Sequence, residues 1–339
     1  MTLKQYMEKC LAGENLTADE AAMALEVIMS GQATDAQIAG LLIAMRCKGE
    51  TVDELVGFAR TMRERSVKVK VDDPNAIDMC GTGGDGLGTF NISTLASFVA
   101  AGAGVTVAKH GNRSVSSKSG SADLLTALGV NIQHPAEKAA DCINAVGIGF
   151  LFAPLFHPAM KYAAKPRSEL GVRTIFNMLG PITNPAGVRK QVIGTYQQDV
   201  ASRLAGALGQ LSTEKACVLH GDDGMDEVSM SGGTKVFEVG VAGLMRTYSL
   251  DPASFGLSER PAGTVRGGDA GENALIALRV LDGEKGAYRD VVVANAALGI
   301  YVAGKANELL HATTLAEEAI DSGRARETLR NLVERTNRA

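Results

Sequence analysis

The stretch from residue 77 to residue 102 constrains the fold of this chain more than any other. An apolar run at 77–80 leads into Gly81-Thr82-Gly83-Gly84-Asp85-Gly86, and a helical pattern follows Asn91 over 92–102. A buried strand that passes through a glycine-rich turn into a helix is the building unit of open parallel α/β sheets. The backbone N–H groups of such a turn and of the helix N-terminus suit an anion such as phosphate. For an isolated glycine cluster, a plain tight turn with a polar helix cap is the alternative.

The alternation of short apolar strands and helices continues beyond this unit. Strands are predicted at 77–80, 105–108, 148–152, 191–195 and 216–219, with helices at 92–102, 121–128, 135–146 and 200–211. A strand pair is predicted at 234–239 and 245–249, followed by three closing helices at 270–281, 287–303 and 315–335. The pattern predicts an α/β domain with a mainly parallel central sheet over residues 71–339.

The first 70 residues have a purely helical pattern. Three capping boxes, Thr17-x-x-Glu20, Thr34-x-x-Gln37 and Thr51-x-x-Glu54, each place a hydroxyl at a helix start and an acid or amide three residues later. We predict a small helical subdomain over residues 1–70, and a connecting strand or extended linker at 66–74. Its Ala-rich and Met-rich faces exceed what so few helices can bury, so one face is expected to pack against another subunit.

Bulk composition excludes several classes of protein. At 339 residues the chain is too long for one small core, and its 45% apolar and 21% charged residues exclude wholesale disorder. A net charge of −4 provides no overall footprint for nucleic acid. Five scattered cysteines without metal or redox spacing favour buried free thiols in a reducing compartment. With no signal-peptide core and no apolar run of about 18 residues, we expect a cytoplasmic protein that does not span a membrane.

The glycine spacing also matches the fingerprint of a dinucleotide site. That fingerprint requires an acid about 20 residues further on, at the end of the next strand, to hold the ribose hydroxyls. Here the next predicted strand ends in Lys109-His110, which places a cation where the acid is needed. This argues against NAD. An NADP site, with Lys109, His110 or Arg113 on the extra phosphate, remains the alternative.

The run from Lys109 to Ser121 is rich in groups that bind phosphate. It packs three cations and five serines into what we predict to be a loop after a strand. Ammonium, guanidinium and hydroxyl donors together suit a pyrophosphate. The alternative is a solvated basic loop. We favour a binding role because this loop and the glycine loop both follow strand C-termini, which meet in one crevice of a parallel sheet.

Two further groups of charged residues are candidates for the same crevice. The acidic run ending in Asp226-Glu227 follows the predicted strand at 216–219, and clustered carboxylates there are credible Mg²⁺ ligands. Taken alone, such a run is more often an exposed acidic turn. Arg167 and Arg173 stand in an otherwise apolar stretch, where one could clamp a substrate carboxylate. A structural arginine that caps carbonyls or pairs with Glu169 is the alternative for either.

Together these motifs resemble anthranilate phosphoribosyltransferase over nearly the whole chain. The resemblance rests on Gly81-Thr82-Gly83-Gly84-Asp85, Asn91-Ile92-Ser93-Thr94, Lys109-His110-Gly111-Asn112-Arg113-Ser114, the segment from Arg167 to Pro185, and Asp226-Glu227. The glycine loop is shared with related pyrimidine nucleoside phosphorylases. The run that begins at Lys109 and the segment from Arg167 are more specific to the anthranilate enzymes.

The resemblance implies a role for individual residues. The 5-phosphoribosyl 1-pyrophosphate (PRPP) would be held by Gly81, Gly84, Asp85, Thr89, Asn91, Ile92, Ser93, Thr94, Lys109, His110, Gly111, Asn112, Arg113, Ser114, Val115, Ser116, Ser117 and Ser121. Anthranilate would contact Gly81, Asn112 and Arg167, with His110 near its amine as proton acceptor or hydrogen-bond partner. Ser93, Asp226 and Glu227 would bind Mg²⁺.

The resemblance also implies the reaction and the assembly. The phosphoribosyl group of PRPP would pass to the amine of anthranilate, giving N-(5-phosphoribosyl)anthranilate and pyrophosphate in tryptophan biosynthesis. The fold would be that of the nucleoside phosphorylases and phosphoribosyltransferases, with helices from about residues 160–185 joining the N-terminal subdomain. A homodimer would form through the helical part. A nucleoside phosphorylase and a non-catalytic relative that binds nucleic acid remain as alternatives.

Overall fold

The N-terminal helices begin where the capping boxes predict them. The structure is a computed structural model that describes residues 2–114 and 118–338. Its first four helices are α1 (Leu3–Leu11), α2 (Ala18–Met29), α3 (Asp35–Lys48) and α4 (Val52–Arg65). At the starts of α2, α3 and α4 the threonine hydroxyl accepts a backbone N–H, and the acid or amide three residues later accepts the N–H of that threonine. The prediction of the three capping boxes is therefore confirmed.

Within residues 2–114 and 118–338, the central sheet has seven strands and is mainly parallel. They are β1 (Ile77–Gly81), β2 (Val107–Gly111), β3 (Ile148–Phe152), β4 (Lys190–Gly194), β5 (Lys215–Gly221), β6 (Thr234–Val239) and β7 (Met245–Leu250). The strand order is β3-β2-β1-β4-β5-β6-β7, with parallel pairing from β3 to β5 and antiparallel pairing of β6 and β7. The predicted fold class, a small helical domain followed by an α/β domain with a mainly parallel sheet, is confirmed.

The remaining helices cover both faces of this sheet. They are α5 (Ile92–Gly102), α6 (Ser121–Ala127), α7 (Ala136–Val146), α8 (Ala153–Phe156), α9 (Lys161–Leu170), α10 (Phe176–Leu179), α11 (Gln198–Gln210), α12 (Ala270–Leu281), α13 (Ala287–Ala303), α14 (Leu309–Asp321) and α15 (Arg324–Asn337). Helices α5 and α12 to α15 pack in the largest apolar core on one face. The N-terminal helices share a second core with α11, with α9 and α10, and with the other face of β4 to β6.

Two predicted elements differ from the structure. The single helix predicted at 315–335 is wrong: α14 and α15 are separate because Gly323 adopts φ of 78°, a left-handed conformation that interrupts a helix. The strand predicted at 105–108 extends instead over Val107–Gly111. The stretch at 66–74, predicted as a connecting strand or an extended linker, is an extended linker. In it the Val67 N–H donates to the Phe156 carbonyl at 2.9 Å.

Two observations concern solvent and membrane exposure. Cys10, Cys142 and Cys217 are buried, but Cys47 is exposed on α3 and Cys80 is half-buried, so the expectation of buried thiols is wrong for Cys47. Across residues 2–114 and 118–338, no helix combines the length and the apolar character that a membrane crossing requires.

Candidate active site

The candidate site lies at the carboxyl ends of β1 and β4. The chain leaves β1 for β2 and β3 on one side, and returns to β4 and β5 on the other. In an open parallel sheet this reversal of strand order opens a crevice where ligands bind. Gly81 ends β1 and Gly194 ends β4, and the N–H of Thr82 donates to the Gly194 carbonyl at 2.9 Å. The glycine-rich loop thus begins at the point where the sheet topology reverses.

Asp226 lies directly against these two strand ends. A Cβ atom added at Gly194 would lie 1.5 Å from the Asp226 carbonyl oxygen, so only glycine leaves room for this backbone. The Asp226 carboxylate accepts the N–H of Gly83 at 2.9 Å through Oδ2. Asp226 is therefore held between the end of β4 and the glycine loop, and the acidic run is not an exposed turn at this position.

Asp226, Glu227 and Asp85 form a poorly solvated acidic group. Burial raises the pKa of Asp226, and the charge of Asp85 raises it further. Burial and the charge of Asp226 likewise raise the pKa of Glu227, whose Oε1 accepts the N–H of Ser93 at 3.0 Å. Asp85 Oδ2 is buried and accepts no hydrogen bond from the described part of the chain. Such carboxylates are stabilised by a cation between them.

The donor set fits Mg²⁺ bound together with a phosphorylated substrate. Within residues 2–114 and 118–338, no group of three His, Cys, Asp or Glu side chains is arranged to hold a metal ion by itself. Mg²⁺ characteristically takes one or two protein carboxylates and completes its octahedron with water and substrate phosphates. Asp226 and Glu227, with the hydroxyl of Ser93 beside them, match that pattern.

The glycine loop offers free backbone donors. Among the residues that the structure describes, the N–H groups of Gly84, Asp85 and Gly86 make no hydrogen bond to protein. By contrast, two donors at the start of α5 are engaged: Ile92 donates to the Phe90 carbonyl at 2.8 Å, and Ser93 to Glu227. The loop, more than the helix N-terminus, is therefore free to cradle an anion.

Arg173 also contacts the glycine loop, through its guanidinium group. Its guanidinium donates to the Gly84 carbonyl and lies over the Tyr196 ring at 3.8 Å from the centroid. Its own carbonyl accepts a hydrogen bond from Arg46 of α3. Arg173 thus links the helical domain to the glycine loop through Arg46. Of the two roles that the sequence left open for Arg173, a carboxylate clamp or a structural arginine that caps carbonyls, the structure shows the second.

Lys109 and His110 do not lie in a loop as predicted, since both belong to β2 and are buried. Lys109 donates to the Met79 carbonyl of β1. Burial lowers the pKa of Lys109, and the negative charge of Asp78 partly offsets this effect. Asp78 also accepts the His110 N–H at 3.1 Å. The structure therefore favours a role for Lys109 as a cation beneath the site, at the strand end. It argues against direct contact between Lys109 and the extra phosphate of NADP.

His110 has one nitrogen free for a ligand. Its Nδ1 lies 3.1 Å from the Gly180 carbonyl, which can only accept, so Nδ1 carries the proton and Nε2 is the acceptor. Nε2 is buried without a partner in the described residues. Burial, reinforced by the nearby His157, lowers the pKa of His110 to about 3. His110 is therefore a neutral acceptor of hydrogen bonds and a weak base.

Asp123 closes the second loop at its base. Its carboxylate accepts the N–H groups of Ser114 at 3.2 Å and Gly120 at 3.0 Å, and pairs with Arg113 at 2.6 Å. Ser121 Oγ donates to the Asn112 carbonyl at 3.2 Å. Val115, Ser116 and Ser117, predicted to hold PRPP, lie outside the described residues. The ends of this loop are thus fixed on α6, beside the glycine loop.

The other predicted residues around the two loops have different environments. Thr89 pairs with Arg266 in an isolated antiparallel bridge, so a second backbone segment lines the glycine loop. The side chains of Ile92 and Thr94 are buried, at 1% and 2% exposure, so Ile92 can reach a ligand only through its backbone. Gly111 lies at the end of β2 against Ser121, where a Cβ would approach Ser121 Oγ to 2.3 Å.

Arg167 is half-buried near the end of α9. Its guanidinium lies over the Phe176 ring at 4.9 Å from the centroid, and it pairs with no carboxylate in the described part of the chain. The alternative pairing with Glu169 is wrong, because Glu169 faces Lys165 at 3.9 Å. Burial lowers the pKa of Arg167. A partly desolvated cation without a counter-charge is suited to an anionic ligand.

Comparison with known proteins assigns the family. The model described as "Glycosyl transferase family, helical bundle domain" matches residues 4–66, and "Glycosyl transferase family, a/b domain" matches residues 73–326. An anthranilate phosphoribosyltransferase of Pelotomaculum thermopropionicum is 53% identical over 334 residues, covering 98% of this chain and 96% of the relative. The chain belongs to the anthranilate phosphoribosyltransferase family.

Solved structures of the anthranilate phosphoribosyltransferase family have the same fold. The Thermus thermophilus enzyme is 42% identical and superposes with a TM-score of 0.93, covering 98% of this chain and 99% of its own. The Saccharomyces cerevisiae enzyme, solved with PRPP and Mg, is 29% identical with a TM-score of 0.90, covering 98% and 97%. Another structure of the yeast enzyme contains 4-fluoroanthranilate. The resemblance inferred from the motifs is confirmed at the level of family and fold.

Proposed function

We propose that this protein transfers the phosphoribosyl group of PRPP to the amine of anthranilate, with release of pyrophosphate, in tryptophan biosynthesis. The observation that carries the proposal is the crevice between β1 and β4. It combines loop N–H groups that make no hydrogen bond within the described residues with a half-buried acidic pair, Asp226 and Glu227. On its anthranilate side we place Arg167, a half-buried cation that pairs with no carboxylate in the described part of the chain. These groups complement a pyrophosphate, a divalent cation and a carboxylate, which are the features of the two substrates with Mg²⁺. Family membership supports the same reaction.

The PRPP site is proposed to lie between the two loops. Gly81, Gly84 and Asp85 would approach the ligand through their backbone, while Asn91, Ser93 and Thr94 line the start of α5. The set proposed from the family resemblance is completed by Thr89, Ile92, Lys109, His110, Gly111, Asn112, Arg113, Ser114 and Ser121, with Val115 to Ser117. Support comes from the free N–H groups of the glycine loop and from the closure of the second loop by Asp123.

Mg²⁺ would be held by Asp226, Glu227 and the hydroxyl of Ser93. When bound, it would supply the positive charge that neutralises the pyrophosphate as it leaves. The yeast relative was solved with PRPP and Mg, which supports this choice of ion. The carboxylates of this chain already orient the glycine loop and the start of α5, so they would place the ion at the PRPP end of the crevice.

Anthranilate is proposed to bind on the Arg167 side of the crevice, with Gly81 between the two substrates. Arg167 would hold the carboxylate, and Asn112 and His110 would contact the amine end. His110 Nε2 can accept a hydrogen bond from the amine because its lone pair is free. The yeast structure with 4-fluoroanthranilate supports an aromatic acid as the second substrate.

The reaction exchanges one bond at the ribose C1. The bond from C1 to the pyrophosphate oxygen breaks, and the amine nitrogen forms a bond to C1 from the opposite face. The aromatic amine has a free lone pair at neutral pH, so positioning contributes more than a strong base. Its proton becomes acidic only after the N–C bond forms. A weak acceptor such as His110, with its pKa lowered to about 3, therefore suffices.

Further features of assembly follow the family resemblance as proposals. We propose a homodimer through the N-terminal helices, a cytoplasmic location, and a division into a helical subdomain at 1–70 and a catalytic domain at 71–339. Helices α9 and α10 pack against α2, α3 and α4, which supports the proposed joining of the subdomain by residues from about 160–185.

One assay separates this function from phosphorolysis. The protein is mixed with anthranilate, PRPP and Mg²⁺, and the decay of anthranilate fluorescence is followed. We expect decay only when all three are present, and none for the Asp226→Asn, Glu227→Gln double variant. Absence of decay in the unmodified protein, together with phosphorolysis of a pyrimidine nucleoside, would overturn the proposal.

A further inference from the structure

Asn273 lies on α12, far along the chain from every residue that the motifs single out. It is buried, at 1% exposure. Its Oδ1 accepts the N–H of Gly268 at 2.8 Å, and its Nδ2 donates to Oδ1 of Asn91 at 3.0 Å. Asn91 in turn donates through Nδ2 to the Ser119 carbonyl at 3.1 Å. Three elements are therefore joined by two side-chain amides.

The direction of every hydrogen bond in this chain of contacts is determined by its two ends. The Gly268 N–H can only donate, so Oδ1 of Asn273 must face it and Nδ2 must face Asn91. The Ser119 carbonyl can only accept, so Nδ2 of Asn91 must face Ser119. Both ends require the same arrangement, and neither amide can rotate by 180° without placing like groups together.

This arrangement leaves Asn91 with one unused hydrogen-bonding group. Its Oδ1 accepts from Asn273 and also from Ser119 Oγ at 3.2 Å, which uses both lone pairs. One N–H of Nδ2 is used by the Ser119 carbonyl. The second N–H has no acceptor among the residues that the structure describes. Asn91 can therefore offer a donor to a ligand, and not an acceptor, which suits an oxyanion or a ribose oxygen.

We propose that Asn273 is a positioning residue that holds Asn91 as a donor to PRPP. It acts through Asn91 and does not touch the substrate. The same relay joins the loop before α12, the start of α5 and the second phosphate loop at Ser119. The inference rests on the proposed PRPP site, and it adds a residue that determines which end of Asn91 faces the ligand.

The test measures PRPP binding by calorimetry in the presence of Mg²⁺. Asn273→Leu keeps the approximate shape and removes both hydrogen bonds, and we expect the PRPP Kd to rise about tenfold. Asn144→Leu is the matched control, because Asn144 also accepts a backbone N–H, from Asp72 at 3.0 Å, and donates to a backbone carbonyl, that of Lys70 at 3.4 Å. It lies outside the crevice, so its Kd should change by less than about twofold.

A double-mutant cycle separates positioning from general damage to the fold. In an Asn91→Ala background, Asn273→Leu should raise the PRPP Kd by less than about twofold further, because its effect passes through Asn91. If the leucine variant does not fold, Asn273→Asp is the second variant. It keeps an oxygen that accepts the Gly268 N–H, and it places a second oxygen, which cannot donate, next to Asn91 Oδ1. The KM for anthranilate should change by less than about twofold in each folded variant.

The outcomes distinguish this inference from the proposed function. An unchanged PRPP Kd in Asn273→Leu and Asn273→Asp, or an equal loss with and without Asn91, would overturn the positioning role. An unmodified protein that binds no PRPP would overturn it as well. If the cycle behaves as expected but anthranilate is not consumed, the positioning role stands and the proposed transfer reaction fails.

Discussion

The close contact between Asp226 and Gly194 at the end of β4 predicts a large effect of adding a single methyl group there. Gly194→Ala adds one methyl group at a point 1.5 Å from the Asp226 carbonyl oxygen. A carbon and an oxygen atom that are not bonded to each other normally lie about 3.5 Å apart, so the two backbones must separate by about 2 Å. The atom in the way is backbone, and no rotamer change can relieve it. The displacement therefore falls on Asp226 or on the end of β4.

The expected loss is large because the displaced residue is a proposed ligand of Mg²⁺. A misplacement of about 1 Å at a catalytic group can cost about 100-fold in rate. We expect Gly194→Ala to lower kcat/KM for PRPP at least about 100-fold, and to lower the free energy of unfolding by about 1–3 kcal/mol through overpacking. Steady-state fluorescence kinetics measures the first, and urea denaturation the second.

Gly232→Ala is the matched control for this change. A Cβ at Gly232 meets nothing within 4 Å, and its φ lies outside the left-handed region. Its kinetics should stay within about twofold of the unmodified protein. A Gly194→Ala protein with nearly unchanged kcat/KM would show that the position of Asp226 does not govern turnover.

Four further predictions follow from the site. Arg167→Ala should raise the KM for anthranilate about tenfold or more and leave that for PRPP nearly unchanged, since it removes the cation proposed for the carboxylate. Asp226→Asn with Glu227→Gln should abolish the response of turnover to Mg²⁺. Arg173→Met should raise the KM for PRPP about tenfold, because the Gly84 carbonyl loses its charged donor. Burial lowers the pKa of His157 to about 4, so the folded state keeps it neutral while the unfolded chain protonates it near 6.5. Stability should therefore fall as the pH falls from about 6.5 to about 4, by up to about 3 kcal/mol from this group, and His157→Asn should remove that part.

Each of these has a clear contrary result. Normal saturation by anthranilate in Arg167→Ala would remove the carboxylate assignment. A double acidic variant that still responds to Mg²⁺ would place the ion elsewhere. An Arg173→Met enzyme with unchanged PRPP kinetics would show that the glycine loop holds its shape unaided. Denaturation curves at about pH 7 and about pH 4.5 that lose equal stability with and without His157 would contradict the proton linkage.

Local signals predicted most of the fold. The threonine capping boxes determine where α2 to α4 begin, and alternating apolar runs located all seven strands, because both are properties of neighbouring residues. The break at Gly323 was missed because α14 and α15 have continuous helical spacing on either side of it. Lys109 and His110 were assigned to a loop because charged residues are rare in buried strands. In β2 they are accommodated by the Met79 carbonyl and by Asp78 of the neighbouring strand.

The sequence predicts only part of the candidate site, because some of its contacts join groups that are distant in sequence. Residues that follow strand ends, such as Gly81 and Asp226, could be placed together because parallel strands bring their carboxyl ends to one edge. Arg173 contacts the Gly84 carbonyl, 89 residues away, and Asn273 contacts Asn91, 182 residues away. One partner of each is a backbone group, which carries no signal in residue type. Their roles emerge only when the chain is folded.

If one crevice binds both substrates, anthranilate and PRPP are consumed together. The most direct test measures pyrophosphate release and anthranilate fluorescence in the same reaction with Mg²⁺. We predict one pyrophosphate released for each anthranilate consumed, and a product whose mass equals anthranilate plus ribose 5-phosphate minus water. Pyrophosphate release that is independent of anthranilate, or loss of anthranilate without that product, would contradict it.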